Sequence, residues 1–199
     1  MTDYTIRCDT FARLSTILDG EIEPLFNCIR LDNGQAVATN RMLMAIENIG
    51  GPSGIVHIIA DPALIAQCVI ESKFDSRLTI TVVEELKFAT AKTTLGYIHP
   101  GNCSYWPEAV TPFDRWRDVV MQAKEPALSS KGGMFWDAAS MSRLAASSPS
   151  GRVVFEQNID TSRPALIRDV TDYDWLGVFT PFSAKDNFVP ATIPTWMTP

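Results

Sequence analysis

No Cys-x-x-Cys pair, no Gly-rich phosphate loop and no Gly-x-Ser-x-Gly occurs in these 199 residues. No apolar run approaches the roughly 20 residues that span a bilayer, so no membrane partner is expected. Histidine is sparse: His57 and His99 stand far apart, and neither shares a motif with a Cys or Ser. The four cysteines are widely spaced, without the close pair that zinc sites usually show. Cys8, Cys28 and Cys68 lie in apolar or periodic surroundings and read as buried free thiols. Basic charge is also short, with 17 Lys and Arg against 23 Asp and Glu, a net charge of -6. That excludes a surface coated wholesale by nucleic acid and leaves room for one local basic face. Met1-Thr2-Asp3-Tyr4 has neither a basic nor an apolar leader segment, so a cytoplasmic location is expected. Glu84-Glu85 beside Lys87 reads as a turn, and Asp169, Asp172 and Asp174 lack the Gly and terminal Glu of a calcium loop. The expectation is a protein with no metal, no cofactor and no catalytic residue.

What is present describes an ordinary globular chain, 46% hydrophobic and 20% charged. Residues 4–8 alternate as a strand, and Asp9 or Thr10 is expected to cap a helix with Phe11, Leu14, Ile17 and Leu18 on one face. A strand over 24–31, the turn Asp32-Asn33-Gly34, and strands over 35–39 and 42–49 follow. After Gly50-Gly51-Pro52-Ser53-Gly54 the order repeats. A β-branched strand spans 55–59, and Asp61-Pro62 opens a helix whose stripe is Leu64, Ile65, Cys68 and Val69. Strands over 78–82, 86–91 and 94–98 complete that unit. Residues 100–131 are rich in aromatics and prolines and read as a connector packed across a sheet, with a short helix near 114–122. A third unit starts with a strand at 133–136 and a helix carrying Ala138, Met141, Leu144 and Ala145. It ends with a strand at 153–156 and a hairpin of 164–168 with 175–182, alternating as a sheet with one buried face.

The order strand, helix, three strands thus occurs three times. It resembles the building plan of the bacterial DNA polymerase sliding clamp. Trp175-Leu176-Gly177-Val178-Phe179-Thr180-Pro181-Phe182 is similar to that family's closing strand, keeping the aromatic start and the Pro but replacing both methionines. Ala36-Val37-Ala38-Thr39-Asn40 stands where the family has apolar-Thr-Asp. Tyr105-Trp106-Pro107-Glu108 resembles its Phe-Pro-Asp, and Phe113-Asp114-Arg115-Trp116-Arg117 resembles a Pro-x-x-Arg linker. The resemblance implies an α+β, sliding-clamp-like fold with antiparallel sheets on one side and helices on the other. It divides the chain into a first clamp-like domain at 1–107, a connector and shorter second domain at 108–182, and a Pro-rich tail at 183–199. With fewer units than a bacterial clamp, the chain reads as a minimised, bacteriophage-type version.

The resemblance also implies partners. Duplex DNA would be held without sequence preference, with Arg13, Lys73, Arg143 and Arg152 facing it; the alternative is that these are solvated surface charges. A homo-oligomeric ring would multiply so thin a set of cations. DNA polymerase or other replication proteins would dock short apolar peptides against Leu166, Val178, Thr180, Pro181 and Phe182, which read equally as core. Residues 183–199, with Phe188, Val189, Ile193, Trp196 and Met197 among prolines, read as a sheet cap or as a strap lying in a groove. Two functions remain: a processivity factor, or a clamp-fold interaction protein that does not encircle DNA.

Overall fold

The computed structural model describes residues 1–18, 27–106, 112–124, 138–155 and 164–180. The first unit runs β1 (Thr2–Arg7), α1 (Cys8–Ser15), β2 (Cys28–Asp32), β3 (Gln35–Thr39) and β4 (Leu43–Asn48). Asn33 and Gly34 both take positive φ, 51° and 82°, the two-residue hairpin geometry that Asn-Gly favours. Neither Asp9 nor Thr10 caps α1, contrary to expectation. The helix starts at Cys8, two or three residues earlier, because the Cys8 N–H donates to the Ser76 carbonyl at 2.9 Å, so a backbone acceptor from the second unit satisfies its first donor.

The second unit is β5 (Ile55–Ile59), α2 (Pro62–Glu71), β6 (Arg77–Val83) and β7 (Phe88–Thr93). Asp61 caps α2 as expected, its carboxylate accepting from the Ala63 N–H at 2.8 Å. The strands expected at 86–91 and 94–98 are altered. Glu84–Leu86 is a single 3-10 turn closed by Lys87 at φ 47°, which delays β7 to Phe88. Residues 94–98 are reduced to one bridge, Lys92 to Ile98, because the chain turns through Gly96 at φ 101°. A short β8 (Ser104–Tyr105) then pairs with β5. The expected connector helix is present as α3 (Trp116–Lys124), entered through a 3-10 turn at Pro112–Arg115. The third unit contributes α4 (Ala138–Ser147), β9 (Val153–Phe155), β10 (Ala165–Asp169) and β11 (Trp175–Phe179). Its expected first strand at 133–136, the 107/108 division and the tail at 183–199 lie outside the described residues.

The strands form a three-stranded sheet, β1-β6-β7, and an eight-stranded sheet, β8-β5-β2-β3-β4-β11-β10-β9. Every ladder in both is antiparallel. The first two units exchange strands, since β1 pairs with β6 and β5 with β2. The third joins them edge to edge, β11 lying along β4 with Trp175 opposite Glu47 and Phe179 opposite Leu43. Two-residue periodicity then sorts the large sheet. Ile29, Leu31, Ala36, Ala38, Leu43, Ala45, Ile167, Trp175 and Phe179 face the core that also holds Phe11, Leu14, Leu64, Cys68 and Leu144, with Met141 partly buried against it. Gly177 is required there, because a Cβ would come within 2.6 Å of the Trp175 ring.

The sequence reading of one buried face is corrected by the opposite side of this sheet. Cys28, Val37, Met44, Ile46, Leu166 and Val178 pack there against Phe113, Trp116, Val120 and Ala123 of the connector. With both faces covered, β2 is buried at every residue and its alternation is invisible in burial. Helices α1, α2 and α4 are on the inner side as expected, whereas α3 is on the outer.

His57 belongs to this outer layer, its ring edge-on to Phe113 with centroids 5.5 Å apart. Burial first, then the neighbouring Arg30 charge, lowers its pKa to about 4, with Asp114 and Asp32 opposing. A folded pKa below the unfolded 6.5 means the unfolded chain binds the extra proton between those values, so stability falls as pH drops. Urea denaturation is expected to show about 3 kcal/mol lost between pH 7 and pH 4 on this account, and His57→Gln is expected to flatten the profile in that window.

Candidate functional site

Charge on the helix side is nearly cancelled. Helices α1, α2 and α4 carry Arg13 and Arg143 against Asp9 and Glu71, two cations to two anions. Glu71 is buried at the end of α2, where it accepts from Gln67 at 2.8 Å, Ser76 at 2.6 Å and Thr93 at 2.6 Å. Burial alone would raise its pKa, and these hydrogen bonds together with the Leu95 N–H outweigh it and lower it.

Arg13 sits among acidic and carbonyl groups rather than open solvent. Its Nε donates to Asp9 at 2.9 Å, one Nη to Glu47 at 2.9 Å, and the other to the Ser147 carbonyl at 2.7 Å. Its side chain is 14% exposed and that of Glu47 11%, and the Thr10 hydroxyl donates to Glu47 at 2.6 Å. The guanidinium therefore ties α1 to β4 and to the end of α4. Lys73 is exposed in the 3-10 turn after α2, Arg143 is half-buried midway along α4, and Arg152 is exposed just before β9. They come from separate elements. The outward residues of α2 and its following turn are apolar instead: Val69, Ile70 and Phe74 are 51%, 58% and 66% exposed.

The residues expected to hold a peptide are partly brought together. Val178 and Thr180 line a largely apolar cavity of about 240 Å³ whose other walls include Met42, Leu43, Met44 and Val119, with Thr39, Arg41 and Pro164 completing it. Leu166 is not on that wall; it is 2% exposed and packs beneath α3. Pro181 and Phe182 lie outside the described residues. Met42, Leu43 and Met44 are visible in the sequence as an apolar run, but nothing local says that they meet β11. Val119 is contributed by the connector, which only tertiary packing brings over the sheet.

The Asp-rich hairpin turn is a hydrogen-bonded knot tied to the end of α4 and to β4. Burial would raise the Asp169 pKa, and the N–H groups of Ser150 and Thr171 with the Ser150 and Ser148 side chains hold it far below the usual range. Asp172 accepts from the Asp174 N–H, and Asp174 accepts from the Asn48 amide at 3.2 Å. Among the described residues no three His, Cys, Asp or Glu converge as metal ligands, and no helix is long and apolar enough to cross a membrane. Cys8, Cys28 and Cys68 are buried thiols, as their surroundings in the sequence imply, and Cys103 is buried as well; none of the four is in a disulfide.

No protein-family model matches this chain, and no curated protein matches it. Solved structures do. A DNA polymerase III beta subunit from Eubacterium rectale superposes with a TM-score of 0.60 at 9% identity, over 92% of this chain and 66% of that one. The DNA polymerase III subunit beta of Pseudomonas aeruginosa gives 0.58 at 11%, over 92% and 66%. A sliding clamp from Bartonella birtlesii, bound to griselimycin, gives 0.52 at 16%, over 91% and 66%. The chain thus spans just under two thirds of the length of the clamps it matches. With its antiparallel sheets, its inner helices and these matches, the chain has the fold of the DNA polymerase sliding clamps.

Proposed function

We propose that this chain is a clamp-like processivity factor that tethers replication proteins to duplex DNA as a closed ring of identical copies, without chemistry of its own. The supporting observation is the placement of α1, α2 and α4 on one side of antiparallel sheets in a fold shared with the DNA polymerase III beta subunits. In this reading Lys73, Arg143 and Arg152 face the phosphates, and a ring repeats each of them around the duplex. The Val178 and Thr180 cavity receives the apolar anchor of a polymerase peptide.

One observation favours a second reading, a clamp-fold protein that binds another protein and does not surround DNA. The inner helices carry no net charge, and Val69, Ile70 and Phe74 lie exposed along α2 and the turn after it. Solution mass and DNA retention separate the two. The processivity reading expects a multi-subunit mass at micromolar concentration and retention on nicked circular DNA that is lost on linearisation. It also expects a shallow salt dependence, because each chain offers few phosphate contacts. A monomer that passes through circular DNA unretained overturns it and supports the second reading.

A further inference from the structure

A second cavity of about 240 Å³ opens where the three units meet. Its lining comes from β1 and α1, from the end of β4, from the start of β6 and from the turn between β10 and β11. One wall is cationic. The β1–β6 ladder sets Arg7 directly opposite Arg77, and like charges so placed cost a sheet stability unless an anion answers them. Arg7 is answered by Asp75 at 3.2 Å, a residue outside the lining. The Arg77 guanidinium has no ion pair or hydrogen bond among the described residues.

Another wall is acidic. Asp172 and Asp174 lie on the hairpin turn, which β4 fixes in place: the Asn48 N–H donates to the Asp174 carbonyl at 2.9 Å, and the Asn48 amide donates to the Asp174 carboxylate at 3.2 Å. Glu47 also lines the cavity, but its charge is already taken by Arg13 at 2.9 Å and the Thr10 hydroxyl at 2.6 Å. Among the described residues no ion pair joins either arginine to Asp172 or Asp174.

This lining selects a ligand class. Two cations and two anions around one space leave it without net charge. A simple anion drawn to the arginines is opposed by the aspartates, and a simple cation meets the reverse. A molecule that carries both signs satisfies both walls at once. Guanidinium forks take carboxylates in bidentate pairs, and carboxylates accept from an ammonium. The volume lies below the roughly 300–1,000 Å³ of pockets that enclose a drug-sized ligand, which leaves room for a smaller molecule. We propose that this cavity binds a small zwitterion of amino-acid size, its carboxylate on Arg77 and Arg7 and its ammonium on Asp172 and Asp174. The site goes beyond the clamp reading and does not rest on it. It uses neither Lys73, Arg143 and Arg152 nor the cavity beside Thr180, so failure of DNA retention or of peptide binding leaves it untouched.

The test titrates the full ¹⁵N-labelled chain at low salt with glycine, β-alanine and γ-aminobutyrate, in which one added methylene at a time separates the two charges. Acetate and methylammonium serve as single-charge controls. The expected result is that at least one zwitterion binds about tenfold or more tightly than either control, because it gains a second charge-assisted contact. It should shift the amide signals of Arg77, Asn48 and Asp174 and leave that of Thr180 in place. Arg77→Gln and Asp174→Asn, both at exposed positions, should each weaken this binding about tenfold with the urea midpoint unchanged. The second of these keeps an oxygen for the Asn48 amide. Acetate that binds as tightly as the best zwitterion overturns the proposal in favour of a plain anion site. No binding by any of the three, binding without shifts at those three amides, or variants that bind as the unaltered chain does would each overturn it as well.

Discussion

Asp32→Ala is expected to destabilise the protein by about 3–5 kcal/mol, the cost of leaving a buried ion pair broken. The Asp32 side chain is 0% exposed. It accepts from Arg30 at 3.2 Å, from the Trp116 indole at 3.0 Å and from Arg117 at 2.9 Å, while its second oxygen takes the Asn33 amide at 2.9 Å. Burial works against its charge, but the Arg117 and Trp116 hydrogen bonds, then Arg30, win and lower its pKa. Removing the carboxylate leaves Arg30, itself 5% exposed, with Asp114 at 2.8 Å as its remaining acidic partner, and leaves the Trp116 N–H without an acceptor. Arg117 is half exposed and stacked 4.2 Å over the Trp116 ring, so it relaxes into water and carries little of the loss.

The damage is also expected to be directional. Asp32 joins the two ends of β2 and α3, and α3 covers Cys28, Val37, Met44 and Ile46. A loosened α3 should therefore expose Cys28, whose thiol burial pushes up to about 12, to a thiol reagent well before the inner Cys8 and Cys68. Urea denaturation gives the energy and reagent mapping by mass spectrometry gives the location. A loss under about 1 kcal/mol, or cysteines that react together, would show that α3 does not depend on this cluster. Because Val119 of α3 is a wall of the cavity, the same variant should weaken any contact made there.

Arg13→Ala is expected to cost about 3–5 kcal/mol for the same physical reason, and to change DNA affinity little beyond what lost folding explains. It leaves Glu47 buried with the Thr10 hydroxyl as its remaining side-chain donor and removes the guanidinium from the Ser147 carbonyl. Two variants make the assignment sharp. Arg13→Met with Glu47→Met removes both charges from the site, and the pair should recover most of the stability that either single change loses. Lys73→Glu and Arg152→Glu, at exposed positions, should leave stability within about 0.5 kcal/mol while lowering retention on circular DNA. If Arg13→Ala weakened DNA retention without loss of stability, the side chain would be a phosphate contact and the buried arrangement would not describe it in solution.

Much of the framework was legible from local chemistry. Asn33-Gly34 demands a hairpin because both positions need positive φ, and Asp61-Pro62 starts α2 because one caps and the other lacks the N–H a first turn does not use. Alternation in 78–82 located β6, with Leu78, Ile80 and Val82 buried. The misjudged elements each depend on a partner distant in the chain. The first N–H of α1 is satisfied by Ser76, so no side-chain cap was needed. Lys87 takes a left-handed conformation that its residue type does not advertise, and the strand after it starts late.

By itself the sequence determined most of the order of strands and helices among the described residues, the Asn33-Gly34 turn and the buried stripe of α1, because these follow from backbone sterics and residue periodicity over a few positions; on α2 it placed Leu64 and Cys68 correctly but Val69, expected in the same stripe, is 51% exposed. Only the tertiary structure decided that β11 lies along β4, that α3 covers the outer face of the large sheet, and that Arg13 spends its charge on Glu47 and Asp9. The cavity beside Thr180 is of the same kind, since its walls include residues of β3, β4, α3 and β11. The physical reason is that a cation's role is set by which carboxylates lie within about 4 Å, where Coulomb energy is large, and those neighbours are dozens of residues away in the chain.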